Sequence, residues 1–160
     1  MGVKVSADIG RINDYFKKVV GIIDTEMRQT FSYIGEESIK MVRDRTPDQS
    51  WIDRTGNLRS SIGYGVYAHG RKEIESTFEI VKQGTQGPSA GRQLLDELSK
   101  QYADTYALIV VAGMNYADEV EARDNKDVLA SAELAARTKI DSHLKRTQER
   151  ILKRIESLSI

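Results

Sequence analysis

Cysteine is absent from this chain, which excludes disulfides, thiol catalysis and thiolate metal sites and fits a reducing cytoplasm. Histidine is nearly absent. His69 and His143 share no repeated helical metal-ligand spacing with a carboxylate or another histidine, so both read as surface residues. No long hydrophobic run exists: no window approaches a membrane span, and the opening "MGVKVSADIG" lacks an apolar segment of signal-peptide length. Nor is there an excess of either charge. With 24 basic and 24 acidic residues the formal net charge is zero, which removes the general electrostatic argument for a nucleic-acid binder but leaves room for a local basic face. Internal repeats and low-complexity tracts are missing too.

What is present is a chain of 160 residues, 39% apolar and 30% charged, enough for one soluble domain (1–160) with a real core. From Ala7 to about Arg45 apolar residues recur in steps of three and four, at Ile9, Ile12, Phe16, Val19, Ile23, Met27, Phe31, Ile34 and Met41. That period predicts one long amphipathic helix over 7–45, capped by Ser6, strained at Gly21 and Gly35 and ended by Thr46-Pro47. A β-rich region follows over 55–123. "SIGYGVYA" reads as a strand, "AHGRK" as a turn and "EIESTFEIV" (Glu73 to Val81) as the second arm of a hairpin. Ser89 caps a short helix expected over 90–103 with Leu94, Leu95, Leu98 and Tyr102 on its apolar face. "TYALIVVAG" is a continuous apolar run and reads as a buried central strand.

"NYADEVEARDNKD" reads as an irregular or short helical connector, and a last helix is expected over 129–158 with Ile140, Leu144, Ile151, Ile155 and Leu158 on its face. The fold class is therefore α+β, a small antiparallel sheet packed with long N- and C-terminal helices and a short inserted helix. A helix of about thirty residues is about 45 Å long, more than the width of a small domain. Helix ends must then overhang and meet a partner, or fold back.

Chemistry is thinly represented. The carboxylate pairs Glu36-Glu37, Asp96-Glu97 and Asp118-Glu119 are sequence neighbours that point apart on a helix, so they read as solvated faces rather than acid/base dyads. No G-x-S-x-G elbow occurs, and "GTQGPSAGRQ" lacks the Gly-Lys-Ser/Thr ending of a phosphate loop. An enzyme built on that loop would need Ser89 and Arg92. The last helix carries Arg137, Lys139, Lys145, Arg146, Arg150, Lys153 and Arg154 against Glu133, Asp141, Glu149 and Glu156. Its basic end, Arg146, Arg150, Lys153 and Arg154, is the candidate for DNA or partner contact, although cations there also complement the helix dipole. The alternative function on this reading is a DNA-binding adaptor.

The stretch "DRTGNLRSSIGYGVY" sits where the first helix hands over to the first strand. Gly56 and Asn57 suit a tight turn, Leu58 and Ile62 can pack inward, and Arg54 and Arg59 can face outward or pair with acids. "RTGNLRSSI" resembles the D-T-G-x-L-R-x-S-I signature of the HK97 gp10-like family of tailed-phage neck and tail-completion proteins, and "NYADEVEA" is similar to that family's Y-A-x-x-V-E element. The family's usual continuation, an aromatic-Gly-Thr and then Pro-Phe, is replaced here by "ARDNKDVLASAEL".

The resemblance implies a non-enzymatic structural subunit without cofactor or metal. It would be assembled in the bacterial host cytoplasm and reside in the virion, in a homo-oligomeric ring at the head-tail connector or tail-completion joint. Its partners would be other connector, portal or tail proteins, with non-specific contact to packaged DNA and none to a membrane. The positions carried over are Thr55, Gly56, Leu58, Arg59, Ser60 and Ile62, then Tyr116, Ala117, Val120 and Glu121. The resemblance assigns them to fold and subunit contacts, with Arg59 and Glu121 as a candidate ion pair joining the two elements.

Overall fold

The computed structural model describes residues 3, 8–46, 51–123 and 128–158, with the backbone alone at 121 and 123. Helix α1 spans Ile9–Arg43 without a break. Its cap is Asp8, whose Oδ1 accepts the Arg11 N–H at 3.2 Å and places an anion at the positive end of the helix dipole. Ser6, the cap expected from the sequence, lies outside the described residues. The helix also ends before Thr46-Pro47: the Asp44 N–H closes the last turn on the Lys40 carbonyl at 2.9 Å. Gly35 is not a weak point but a point of close approach. A Cβ there would stand 2.6 Å from the Tyr64 ring, so the missing side chain lets the helix lie against the sheet.

Three antiparallel strands form the sheet in the order β2-β1-β3, with β1 at Ile62–Ala68, β2 at Arg71–Glu75 and β3 at Tyr106–Ala112. The β1–β2 hairpin turns on His69 and Gly70, both at positive φ (50° and 75°), the geometry whose twist matches the strands it joins. The second strand corrects the expected span of 73–81. The ladder is already irregular between Val66 and Tyr67, and at Ser76 it ends on a side chain, whose Oγ accepts the Tyr64 N–H at 2.8 Å. Beyond that point Phe78 folds over the sheet into the space left by Gly63 and Gly91.

A second correction concerns β3, which is an edge strand, not a central one; β1 holds the centre. The run "YALIVVA" is apolar because both its faces are covered, which is a different matter from having both its edges paired. Helix α3 (Gly87–Ser99) covers one face, where Tyr67, Phe78, Leu95, Ala107, Ile109 and Val111 form a cluster. A 3₁₀ turn, Lys100–Tyr102, extends it. Gln86 occupies the cap position with Pro88 just inside, so the expected cap Ser89 falls within the helix.

The other face packs on α1 and on α5 (Ala130–Glu156), around Phe31, Ile39, Val42, Ile62, Tyr64 and Val66. Helix α5 runs antiparallel to α1, with Lys139 near Glu37, His143 against Tyr33, Thr147 on Thr30 and Arg150 on Glu26. That pairing reaches back only to about Ile22, which is buried. The first turns of α1 project past it and leave Ile9, Ile12, Phe16 and Val20 exposed. No helix among the described residues is long and apolar enough to cross a membrane.

Candidate functional site

The first corner is built around the one-turn helix α2 (Asn57–Ser60). Gly56 precedes it at φ +86°, and a Cβ there would stand 1.9 Å from the Val81 carbonyl oxygen, so the position admits only glycine. Asp53 Oδ1 accepts the Gly56 N–H at 2.9 Å, and the Asn57 N–H reaches Thr55 Oγ1 at 3.3 Å. Leu58 and Ile62 enter the core, and the fully buried Ser60 hydroxyl accepts the Val81 N–H at 2.7 Å.

Arg59 closes the corner against the end of α1. Its guanidinium donates to the Arg45 carbonyl at 3.2 and 3.3 Å and to the Arg43 carbonyl, meeting the groups that a helix C-terminus leaves without partners. It also lies 5.2 Å from the Trp51 ring centroid and 3.7 Å from Asp53 Oδ2. Arg43 reciprocates by donating to the Ile62 carbonyl at 2.6 Å. Arg59 is thus a clamp between helix and strand, paired with Asp53 and the helix end. The Glu121 side chain of the candidate pair lies outside those described.

The second element, α4 (Ala117–Arg123), comes back to the same place. Ala117 is buried, Val120 packs against the core, and Tyr116 stands beside Thr55 and Asp53. Burial pushes the Tyr116 phenol up; the neighbouring Thr55 hydroxyl opposes this and the nearby Asp53 charge adds to it. An open cleft of about 720 Å³ lies between the two elements, lined by Trp51, Asp53, Thr55, Asn57, Tyr116, Glu119 and Val120 among others. The structure therefore brings the "RTGNLRSSI" corner and the "NYADEVEA" element to one place.

The glycine-rich loop has a mechanical reason to exist. A Cβ on Gly84 would meet the Gly56 backbone at 2.4 Å, and one on Gly87 the Asn57 carbonyl at 2.4 Å. These glycines let the loop press against the corner. Arg92 is engaged too, donating to Glu75 at 2.7 Å and stacking 5.2 Å above the Phe78 ring. Lys72 bridges Glu75 and Asp96 at 2.8 and 2.7 Å; burial alone would lower its pKa, but the two acids outweigh this and raise it. His69 packs edge-on against Tyr106, and among the described residues no group of three His, Cys, Asp or Glu is placed to hold a metal.

The basic helix divides its arginines. Arg150 Nε and Arg154 Nη1 both donate to the buried Glu26 carboxylate, at 2.7 and 2.9 Å. Arg150 also reaches Thr30 at 3.0 Å and Thr147 at 3.1 Å, and those two hydroxyls lie 2.6 Å apart. The Arg150 bond holds the Glu26 pKa down; burial opposes it, and Arg154 reinforces it. Arg146 and Lys153 face outward.

Composition-level reading passed over this polar cluster. Its signal was present, because Glu26 and Thr30 sit on the stripe side of α1 and Thr147 lies between Leu144 and Ile151. No family model, curated protein or solved structure matches the chain.

Proposed function

We propose that the chain is a structural virion subunit of a tailed phage or prophage, forming part of the head-tail connector or tail-completion ring. The observation that carries this reading is the overhang of α1. Ile9, Ile12, Phe16 and Val20 make one stripe, with Ile9 69% and Phe16 61% exposed. Unpartnered apolar surface of this kind marks a protein-protein contact.

The two elements that resemble the family support the same assignment. Their side chains are spent on a turn, a helix clamp and core packing, roles that hold a subunit's shape. The partners are further copies in a ring and other connector, portal or tail proteins. The DNA-binding alternative draws less support, because Arg150 and Arg154 are already tied to Glu26 and a phosphate would have to displace that carboxylate.

Light-scattering mass across a wide concentration range, with negative-stain images of any large species, tests the reading. Wild type should give a discrete ring, and Phe16→Asp should fold normally but lose it. A mass no larger than a dimer at every concentration, together with salt-sensitive binding to duplex DNA, would overturn the proposal in favour of the alternative.

A further inference from the structure

The two edges of the sheet are built in opposite ways. The β2 edge, "RKEIE", is charged at every position but Ile74, and its Lys72 and Glu75 are held by Asp96 and Arg92 of α3. That is how a sheet edge is protected from pairing. The β3 edge, "YALIVVA", has no charge and no proline over seven residues. Its inward side is fixed by the register: the His69 N–H bonds the Thr105 carbonyl at 3.0 Å and the Gly113 N–H bonds the Ser61 carbonyl at 3.2 Å. The intervening odd-numbered residues therefore face β1, and Tyr106, Leu108, Val110 and Ala112 turn their N–H and C=O groups outward. Among the described residues no strand lies beyond β3, and no hydrogen bond uses the outward N–H groups of Leu108, Val110 or Ala112.

We infer that the β3 edge is a dimerisation surface whose occupant is the β3 strand of a second copy, paired antiparallel about a two-fold axis at Ile109. The register follows from the alternation. With Ile109 opposite its own counterpart, Tyr106 faces Ala112 and Leu108 faces Val110, all in hydrogen-bonded positions. About eight inter-chain hydrogen bonds then use the outward groups of both strands. The β2 edge of another copy is a poorer occupant, being short, charged and irregular beside Val66.

The underside fits as well. A mainly apolar groove of about 250 Å³ separates Leu108 and Val110 from Leu129, Ala132 and Ala136 of the α5 region, with Ser38 and the Glu133–Arg137 ion pair also on its wall, and the partner's Leu108 and Val110 would arrive at its mouth. Joining the sheets aligns six strands across about 24 Å above four helices spanning about 27 Å, so the layers stay matched. Zero formal net charge raises no long-range repulsion between copies. This contact does not rest on the connector reading, since a two-fold pairing closes on itself and a ring requires a head-to-tail interface.

Amide hydrogen exchange on the unaltered protein is the first test. At high concentration the Leu108, Val110 and Ala112 amides should be protected to the level of Ala107, Ile109 and Val111, and dilution should cut the first set by at least about tenfold while sparing the second. Ile109→Cys supplies the register. The chain has no other cysteine, so mild oxidation should give a disulfide-linked dimer through the non-hydrogen-bonded Ile109 pair. Should that variant not fold, an equimolar mixture of Ala107→Cys and Val111→Cys tests the same alignment, and neither should cross-link alone.

Rapid exchange of the outward amides at every concentration overturns the proposal. Protected amides without the cross-link also overturn it, pointing instead to another register or to the β2 edge of a ring neighbour. Persistence of the protection in Phe16→Asp separates this contact from ring assembly.

Discussion

Replacing Glu26 by glutamine bears on both the helix pair and the basic face. The wild-type carboxylate receives charge-assisted bonds from Arg150 and Arg154, and such bonds are worth about 1.5–3 kcal/mol each when enclosed. Both arginine side chains are 47% exposed, however, so solvent screens the cations and lets them rehydrate once released. The amide also keeps one acceptor. Glu26→Gln should therefore cost about 2 kcal/mol at neutral pH, which for a chain of this size lowers Tm by about 4–8 °C.

The fold lowers the Glu26 pKa from its ordinary value of 4.5, so the folded carboxylate holds its proton less tightly than the unfolded one. Its contribution is complete above about 4.5 and disappears as pH falls through the depressed folded value. The gap between wild type and Glu26→Gln, followed by urea unfolding from pH 7 down to pH 3, should narrow over that interval. Freeing two arginines should also steepen the salt dependence of any duplex-DNA binding by up to about two phosphate contacts. Equal stability of the two proteins at pH 7, or a gap indifferent to acid, would refute the account of the cluster.

Gly56→Ala should destabilise by more than about 2 kcal/mol in urea, because the side chain must adopt a left-handed backbone and meet the Val81 carbonyl. The matched control, Gly21→Ala, has open space around it and should stabilise α1 by about 1 kcal/mol. Gly35→Ala drives a methyl into the Tyr64 ring and should cost about 1–3 kcal/mol, with a changed tyrosine near-UV signal. The Tyr106 phenol, half-buried and hydrogen-bonded to Asp24, is pushed up to about 12, so ultraviolet titration should show it ionising well above the ordinary value of 10. Asp24→Asn should bring it down.

Long-period features were legible in the sequence because they depend on repetition. The stripe from Ile9 to Met41 gave α1 to within two residues at each end, and Ile140 with Leu144 marked the inner face of α5. The hairpin was legible because His69-Gly70 is a good positive-φ turn. Features set by a distant neighbour were not. Nothing local reveals that Ser76 ends β2 by using its hydroxyl as a ladder acceptor, or that β3 is apolar for its faces while one edge stays open. At the corner Gly56 could be read as a turn, but the role of Arg59 could not, since its acceptors are carbonyls whose availability depends on where α1 stops.

The buried hydroxyl pair has a consequence for the overhang. Sliding α5 along α1 by one turn, about 5.4 Å, breaks the direct Thr30–Thr147 bond in either direction. The two helices are therefore pinned lengthwise, and the part of α1 that projects beyond Ile22 is a strut of set length, about 20 Å. Anything that grips Phe16 is held at a fixed standoff from the sheet, as though by a spacer cut to size.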